Sequence, residues 1–145
     1  MANYTATAVS NYFAVKDADA FTATCERLGL EYSSTTKDDR TLYRVSGPND
    51  DCGAFPRWLP SDDPDEDDIT VDFVREIAAH LADGWVAVFM EAGAEGSRSV
   101  TGVAWACNNT GSVVTIDLDD IYGHALMLGD HCTKALPIIV DARET

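Results

Sequence analysis

The stretch "WVAVFMEAG", residues 85–93, decides the fold of this chain. Both its odd-numbered and its even-numbered positions are apolar as far as Met90. A half-buried strand alternates apolar and polar side chains, whereas a strand covered on both sides is apolar throughout. The stretch therefore predicts a central strand of a sheet, with its two faces covered by other elements or by a second copy of the chain.

A hairpin follows this strand. Residues 99–107 ("SVTGVAWAC") and 112–118 ("SVVTIDL") have the composition of strands. Between them, residues 108–111 ("NNTG") are typical of a tight turn, because Asn and Gly tolerate positive φ angles.

The other elements are predicted from similar signals. Strands are expected at 8–17, 30–34 and 41–47, and helices at 18–28, 71–82 and 120–128. The first helix has the clearest boundaries, because Asp17 is a suitable N-cap and Gly29 a suitable C-cap. The expected N-cap of the second helix is Thr70, and that of the third is Asp117 or Asp119.

The element order is β-α-β-β, a long acidic loop, then α-β-β-β-α. Because the strands come in hairpins and not as regular βαβ units, the order predicts an α+β fold with a mainly antiparallel sheet and about three helices. The length of 145 residues fits one domain, 1–145. The tail "ALPIIVDARET" is expected to add an edge strand or to pack as an extended arm.

Residues 47–70, the acidic segment, interrupt this pattern. Six of the eight residues from Ser61 to Asp68 are carboxylates, and none is basic. The whole segment has eight acids and one base, Arg57. It is longer than an ordinary connection, so we expect a functional or mobile excursion. Its aromatic residues, Phe55 and Trp58, either attach the segment to the body or, if exposed, anchor a partner.

The net charge restricts the partners. The chain has 25 acids and 10 bases, a net charge of −15. Such a surface repels nucleic acids and anionic membranes and attracts basic proteins. No stretch is long and apolar enough to span a membrane, and the start "MANYTATAVSNYF" lacks the features of a signal peptide. We therefore expect a cytoplasmic protein.

The sequence has no catalytic or cofactor motif of the common kinds. His80 and His124 lie in predicted helices, where a lone histidine commonly packs or complements the helix dipole. The four cysteines are far apart and form no CxxC pair, so buried thiols are favoured over a metal site. We predict no enzyme activity, no cofactor and no metal site.

Calcium binding is an alternative for the acidic segment. Asp63, Asp65 and Asp67 have the 1-3-5 spacing of an EF-hand loop. The rest of that pattern is missing, because Asp68 occupies the position of the required glycine and Val74 that of the required glutamate. A merely solvated loop is a further alternative.

Electrostatic mimicry of nucleic acid is the interpretation we favour. An extended chain presents a side chain about every 3.3 Å, close to the ~3.4 Å between phosphates along one DNA strand. A basic nucleic-acid site would therefore attract the acidic segment. The candidate partner-binding residues are Asp62, Asp63, Asp65, Glu66, Asp67, Asp68, Phe55 and Trp58.

Two stretches carry a family resemblance. "SNYFAVKDADAF" (10–21) and "HLADGWVAVFMEAGAEGSRSVTGVAWACNNTGSVVTIDLDDIY" (80–122) resemble a family of small acidic proteins from phages, plasmids and other mobile elements. Members begin with SNYFxVKD and continue with a HLADGEVAV-type strand and an SLDDIY-type helix start. Trp85 departs from this pattern, where an acid is expected. The resemblance implies a mobile-element context, in which small acidic proteins often neutralise host defence enzymes.

Three functional hypotheses follow. The first is a non-enzymatic inhibitor, of anti-CRISPR or anti-restriction type, that binds a basic nucleic-acid-binding surface of a host protein. The second is a small-ligand or calcium-binding module. The third is an accessory protein whose acidity reflects a saline host. Neighbouring defence genes would favour the first hypothesis, and a halophile genome the third.

Overall fold

The computed structural model describes residues 4–48, 53–59, 63, 65, 67, 69–95, 99–131 and 133. Its helices are α1 (Ala18–Leu28), α2 (Phe73–Ala78) and α3 (Asp120–Ala125). Its strands are β1 (Tyr4–Ser10), β2 (Glu31–Lys37), β3 (Arg40–Ser46), β4 (Trp58–Leu59), β5 (Ile69–Thr70), β6 (Val86–Glu95), β7 (Ser99–Asn108) and β8 (Val113–Asp117).

The main sheet has six strands in the order β2-β3-β1-β6-β7-β8, and every neighbouring pair is antiparallel. The prediction of an α+β fold with a mainly antiparallel sheet is confirmed. The predicted central strand is β6, which pairs with β1 on one side and with β7 on the other. The N-terminal strand therefore lies in the middle of the sheet, between β3 and β6.

The core lies on one face of the sheet, under α1 and α2. The apolar stripe of α1, Phe21, Cys25 and Leu28, is buried there. It meets Ile77 of α2 and Phe89 of β6 in one cluster of buried side chains. Burial of an apolar side chain of this size contributes about 1.5–3 kcal/mol, so this cluster supplies much of the folding free energy.

Local capping fixes α1 as predicted. The Asp17 Oδ1 atom accepts hydrogen bonds from the backbone N–H groups of Asp19 and Ala20, at 3.0 and 3.2 Å. Gly29 ends the helix with a φ of 75°, a left-handed conformation that favours glycine.

The cap of α2 differs from the prediction, whereas that of α3 agrees with it. Thr70 lies in β5, and the Asp72 side chain caps α2 through the Arg75 N–H at 3.2 Å. For α3, the Asp117 carboxylate accepts from the Asp120 N–H at 3.2 Å, whereas the Asp119 side chain makes no capping bond. Both helices end earlier than predicted.

Two strands also have different boundaries. β1 ends at Ser10, because residues 11–16 leave the ladder and keep only the single bridges Phe13–Tyr43 and Val15–Leu81. β2 and β3 extend to a two-residue turn at Asp38 and Asp39, so the turn is much shorter than the gap, 35–40, between the predicted strands. The predicted edge strand or arm at 135–145 lies outside the described residues.

In the part of the chain that the structure describes, no helix is both long and apolar enough to cross a membrane.

The β2–β3 turn supports a stability prediction. Asp38 and Asp39 have φ angles of 54° and 62°, and hairpin turns of this type prefer Asn-Gly. We expect the double change Asp38→Asn with Asp39→Gly to raise the free energy of unfolding by about 1 kcal/mol, since a left-handed residue with a side chain costs about 1–2 kcal/mol. Urea denaturation measures the change.

The matched control is Asp38→Asn with Asp39→Asn, which removes the same two charges but keeps a side chain at both positions. If this control is as stable as the Asn-Gly variant, relief of charge repulsion and not of backbone strain is the cause.

Candidate functional site

Two glycines bring the first part of the acidic segment against the sheet. A β-carbon at Gly47 would lie 2.0 Å from the backbone oxygen of Gly53, and one at Gly53 would lie 2.2 Å from that of Ala6 in β1. Gly53 also has a φ of 87°. The backbones touch directly, so both positions require glycine.

A buried carboxylate holds the next residues. Glu91 of β6 is only 4% exposed, and its Oε1 atom accepts the backbone N–H of Phe55 at 2.9 Å. The Arg57 guanidinium donates to both carboxylate oxygens, at 3.2 Å to Oε1 and 3.1 Å to Oε2. A buried charge must be paired and hydrogen-bonded to be tolerated. Residues 55–57, lying on the sheet, supply three of the hydrogen bonds by which Glu91 meets this condition.

Arg57 is further restrained by two contacts. It donates to the backbone oxygen of Phe55 at 2.9 Å, and its guanidinium carbon lies 5.5 Å from the ring centroid of Trp105 in β7. The charge of Arg57 is therefore compensated by Glu91. The one base of the acidic segment does not offset the carboxylates that follow it.

Phe55 is a core residue. It is 2% exposed, stacks on Phe73 with ring centroids 4.7 Å apart, and meets Phe89 edge-on at 5.7 Å. Phe55 was predicted to anchor a partner if its ring is exposed. Because the ring is buried, this prediction is wrong for Phe55. The physical reason is that the apolar Phe55 ring packs against Phe73 and Phe89, so its burial removes apolar surface from water. The alternative expectation, attachment of the segment to the body, describes Phe55 correctly.

A small two-stranded sheet closes the base of the acidic loop. Trp58 and Leu59 of β4 pair with Thr70 and Ile69 of β5, and the Val71 N–H donates to the Arg57 oxygen at 2.9 Å. These two short strands were not predicted from the sequence. They bring the two ends of residues 60–68 together. The backbone of Trp58 lies at this base, and its side chain is outside what the structure describes.

Three of the predicted acidic residues can be located. Asp63, Asp65 and Asp67 are exposed, and the Asp63 Oδ1 atom accepts the Asp65 N–H at 2.9 Å, which makes a local turn. The other three, Asp62, Glu66 and Asp68, lie outside the described residues.

Other acidic groups, Asp38 with Asp39 and Asp117, would extend this surface only if the fold placed them near the acidic segment. Asp38 and Asp39 lie at the tip of the β2–β3 hairpin, whereas the acidic segment leaves the opposite end of β3. Seven residues of strand separate them by about 20 Å. Asp117 lies in the same cross-strand row as Glu91, two strands away and thus about 10 Å along the sheet. Of these groups, Asp117 is therefore the one nearer to the acidic segment.

A shallow cleft of about 400 Å³ lies beside Arg57, with Trp105 and Thr115 in its wall. Its second arginine, Arg75, pairs with Asp72 at 3.2 Å. Since both arginines are paired with carboxylates, the cleft offers no uncompensated positive charge to an anionic ligand.

The titratable side chains near the core have structural roles. His80 Nε2 lies 2.8 Å from the Thr24 hydroxyl, and burial lowers the pKa of this imidazole. Burial raises the pKa of the Cys25 thiol to about 12 and that of Cys107 to about 11. Such thiols are almost entirely protonated at neutral pH and are poor nucleophiles. Among the described residues, no three or more His, Cys, Asp or Glu side chains are grouped to hold a metal ion.

Comparison with known proteins gave no match: no family model fits the chain, and neither a curated protein nor a solved structure resembles it significantly. The mobile-element resemblance therefore stays a prediction.

The sequence analysis missed the Glu91–Arg57 pair. A signal was present, because Glu91 is the one charged residue in the apolar stretch 85–93 and Arg57 is the one base in the acidic segment. Their pairing across 34 positions could not be derived from local patterns.

The Gly53 contact supports a second prediction. We expect Gly53→Ala to lower the free energy of unfolding by more than Gly84→Ala, because both positions have positive φ but only Gly53 faces a backbone oxygen. Gly84→Ala carries the conformational cost alone, about 1–2 kcal/mol. Urea denaturation of both variants measures the difference. Equal losses would contradict the close backbone contact at Gly53.

The Glu91–Arg57 pair supports a third prediction. Arg57→Met leaves the Glu91 carboxylate buried without its cation, which costs about 3–5 kcal/mol in fully buried pairs. Because the Arg57 side chain is 34% exposed, we expect a smaller loss, about 2–3 kcal/mol after solvent screening. The double variant Arg57→Met with Glu91→Gln should lose less than the sum of the single changes.

The matched control for this cycle is Arg27→Met, which removes the more exposed Arg27–Glu76 ion pair. Exposed pairs contribute only about 0–1 kcal/mol. An Arg57→Met loss no larger than that of Arg27→Met, in the same urea titration, would show that Glu91 does not depend on Arg57.

Proposed function

We propose that this protein is a non-enzymatic inhibitor, acting in the cytoplasm of a host cell, that binds a basic nucleic-acid-binding surface of a defence protein. One observation carries the proposal. The acidic segment is fastened to the sheet by Glu91 and closed at its base by β4 and β5, while the carboxylates of Asp63, Asp65 and Asp67 beyond that base are exposed.

Fastening distinguishes this arrangement from a merely solvated connection. A solvated loop needs no buried ion pair, whereas a recognition loop benefits from one, because binding costs less entropy when the loop is already positioned. The Glu91 carboxylate, the Phe55 ring and the two close glycine contacts all restrain residues 53–57. These contacts support presentation of the acidic run at a defined place on the sheet.

Charge supports the same function. Arg57 is compensated by Glu91, so the carboxylates of residues 61–68 keep their negative field. A net charge of −15 on 145 residues makes approach to a basic surface faster and to nucleic acid slower. The spacing of side chains on an extended chain, about 3.3 Å, is close to that of phosphates. An anti-CRISPR or anti-restriction role is the most concrete form, in keeping with the mobile-element resemblance.

Neutralisation of the run tests the proposal. The variant with Asp62, Asp63, Asp65, Asp67 and Asp68 changed to Asn and Glu66 changed to Gln should fold normally. We expect its association with a CRISPR effector complex or a restriction endonuclease to slow by about 10-fold or more at low salt, because charge fields act mainly on the association rate. The salt dependence should also weaken. Stopped-flow or surface-plasmon measurements over a salt series, with DNA as competitor, give both quantities.

A charge-matched pair of variants serves as control. Asp65→Asn with Asp67→Asn removes two charges from the acidic segment, and Asp38→Asn with Asp39→Asn removes two from the distant β2–β3 turn. Only the first pair should slow association markedly. Equal effects would indicate that net charge matters and the segment does not; no effect of the six-fold variant would make the segment a solvated connection.

A further inference from the structure

The outer face of the main sheet is open and apolar. We use this name for the side of β1, β6, β7 and β8 that lies opposite α1 and α2. The register aligns Met90 of β6 with Ala104 of β7 and Ile116 of β8 on this side. Six large apolar side chains there are 48–76% exposed: Val86, Met90, Val100, Val114, Ile116 and Leu118.

This face also has no charge. In a strand every second side chain points to the same face. Among the described residues of β1, β6, β7 and β8, no side chain that points to the outer face is Asp, Glu, Lys or Arg. A chain with 25 acids and 10 bases has carboxylates on most of its surface. A contiguous, uncharged apolar patch of this kind marks an interface.

We infer that the occupant of the outer face is a second copy of this chain. Two copies that each carry −15 repel one another, so they can meet only where neither presents a carboxylate. A basic partner, in contrast, would be drawn to the acidic surfaces. The inference does not depend on the proposed function, because it rests on another face of the molecule.

Charges at the two borders of the outer face favour a two-fold arrangement. The β3 border carries Arg40 and Arg44, whose guanidinium carbons lie 5.5 and 5.6 Å from the rings of Trp85 and Tyr12. The β8 border leads into Asp119 and Asp120. A two-fold axis parallel to the strands places the basic border of one copy beside the acidic border of the other, which orients the two copies but does not offset the repulsion between two charges of −15. Closed symmetry of this kind is the commonest among homo-oligomers.

The outer face is large enough for a specific interface between two copies. Strands about 4.8 Å apart, with a rise of about 3.3 Å per residue, give the four strands a flat area of roughly 500 Å² per copy. Two sheets packed face to face, about 10 Å apart, would then bury roughly 1,000 Å² or more in total, which is the lower limit of a specific interface.

Sedimentation equilibrium of the full chain tests this inference. We expect a reversible dimer, and a dissociation constant that falls as NaCl is raised from 0.05 to 1 M, since salt screens the repulsion of like-charged copies. Met90→Asp puts a carboxylate into the centre of the face of each copy. It should raise the dissociation constant by about 100-fold or more, because the unpaired charges would be buried. The fold should be unchanged, since Met90 is 57% exposed in the single copy.

The control is Ile69→Asp, which introduces the same charge at a side chain of similar exposure, 54%, outside the outer face. This variant should dimerise like the parent. A parent chain that stays monomeric at about 100 μM in 1 M NaCl would overturn the inference, and coverage by residues 134–145 would become the explanation to test. A dimer that weakens with salt, or that is unaffected by Met90→Asp, would also overturn it. Dimerisation and binding to a basic partner respond to salt in opposite ways, because binding to a basic partner weakens as salt is raised. A failure of the dimer inference can therefore be told from a failure of the proposed function.

Discussion

The buried carboxylate of Glu91 is the interaction on which the arrangement of this molecule depends. It lies on β6, near the centre of the sheet, and it is tolerated there because the Phe55 N–H and both terminal nitrogens of Arg57 satisfy it. Sheet and acidic segment thus depend on one another. Without the segment the Glu91 carboxylate would lose the Arg57 cation and the Phe55 N–H, and without Glu91 the segment would lose its buried ion pair.

Two surfaces of opposite character follow from this core. α1 and α2 cover one face of the sheet, and the acidic segment is attached on that same side through Glu91. The other face is uncharged along four strands, and its exposed large apolar side chains lie on β6, β7 and β8 and at Leu118. The separation lets a chain of net charge −15 present a strong field to one partner while it keeps a surface on which like charges do not meet. A dimer would carry two acidic segments and could bind a partner with two basic sites more tightly by multivalency.

Local signals made part of this structure predictable. The boundaries of α1 follow from Asp17, an apolar stripe and Gly29, all within thirteen residues of one another. The composition of β6 predicts a central strand, and β6 has a strand on each side, but its outer face is open in the single copy. The β4–β5 pair and the Glu91–Arg57 contact join residues distant in sequence, and no periodic pattern records them. Phe55 shows the same limit: an aromatic residue in an acidic segment fits an anchor or a core position equally well, and only its packing partners decide.

The position of β1 has a consequence for synthesis of the chain on the ribosome. β1 pairs along its whole length with β6, about eighty positions later, and meets β3 in the ladder only at Val9 and Ser46. Translation at about 5–20 residues per second separates the emergence of β1 and β6 by roughly 4–16 s. During that time α1 and the β2–β3 hairpin can form from local contacts, but Phe13 and Phe21 lack the strand that completes their burial. We therefore expect the nascent N-terminal half to expose apolar surface that the complete chain buries, which favours aggregation at that stage.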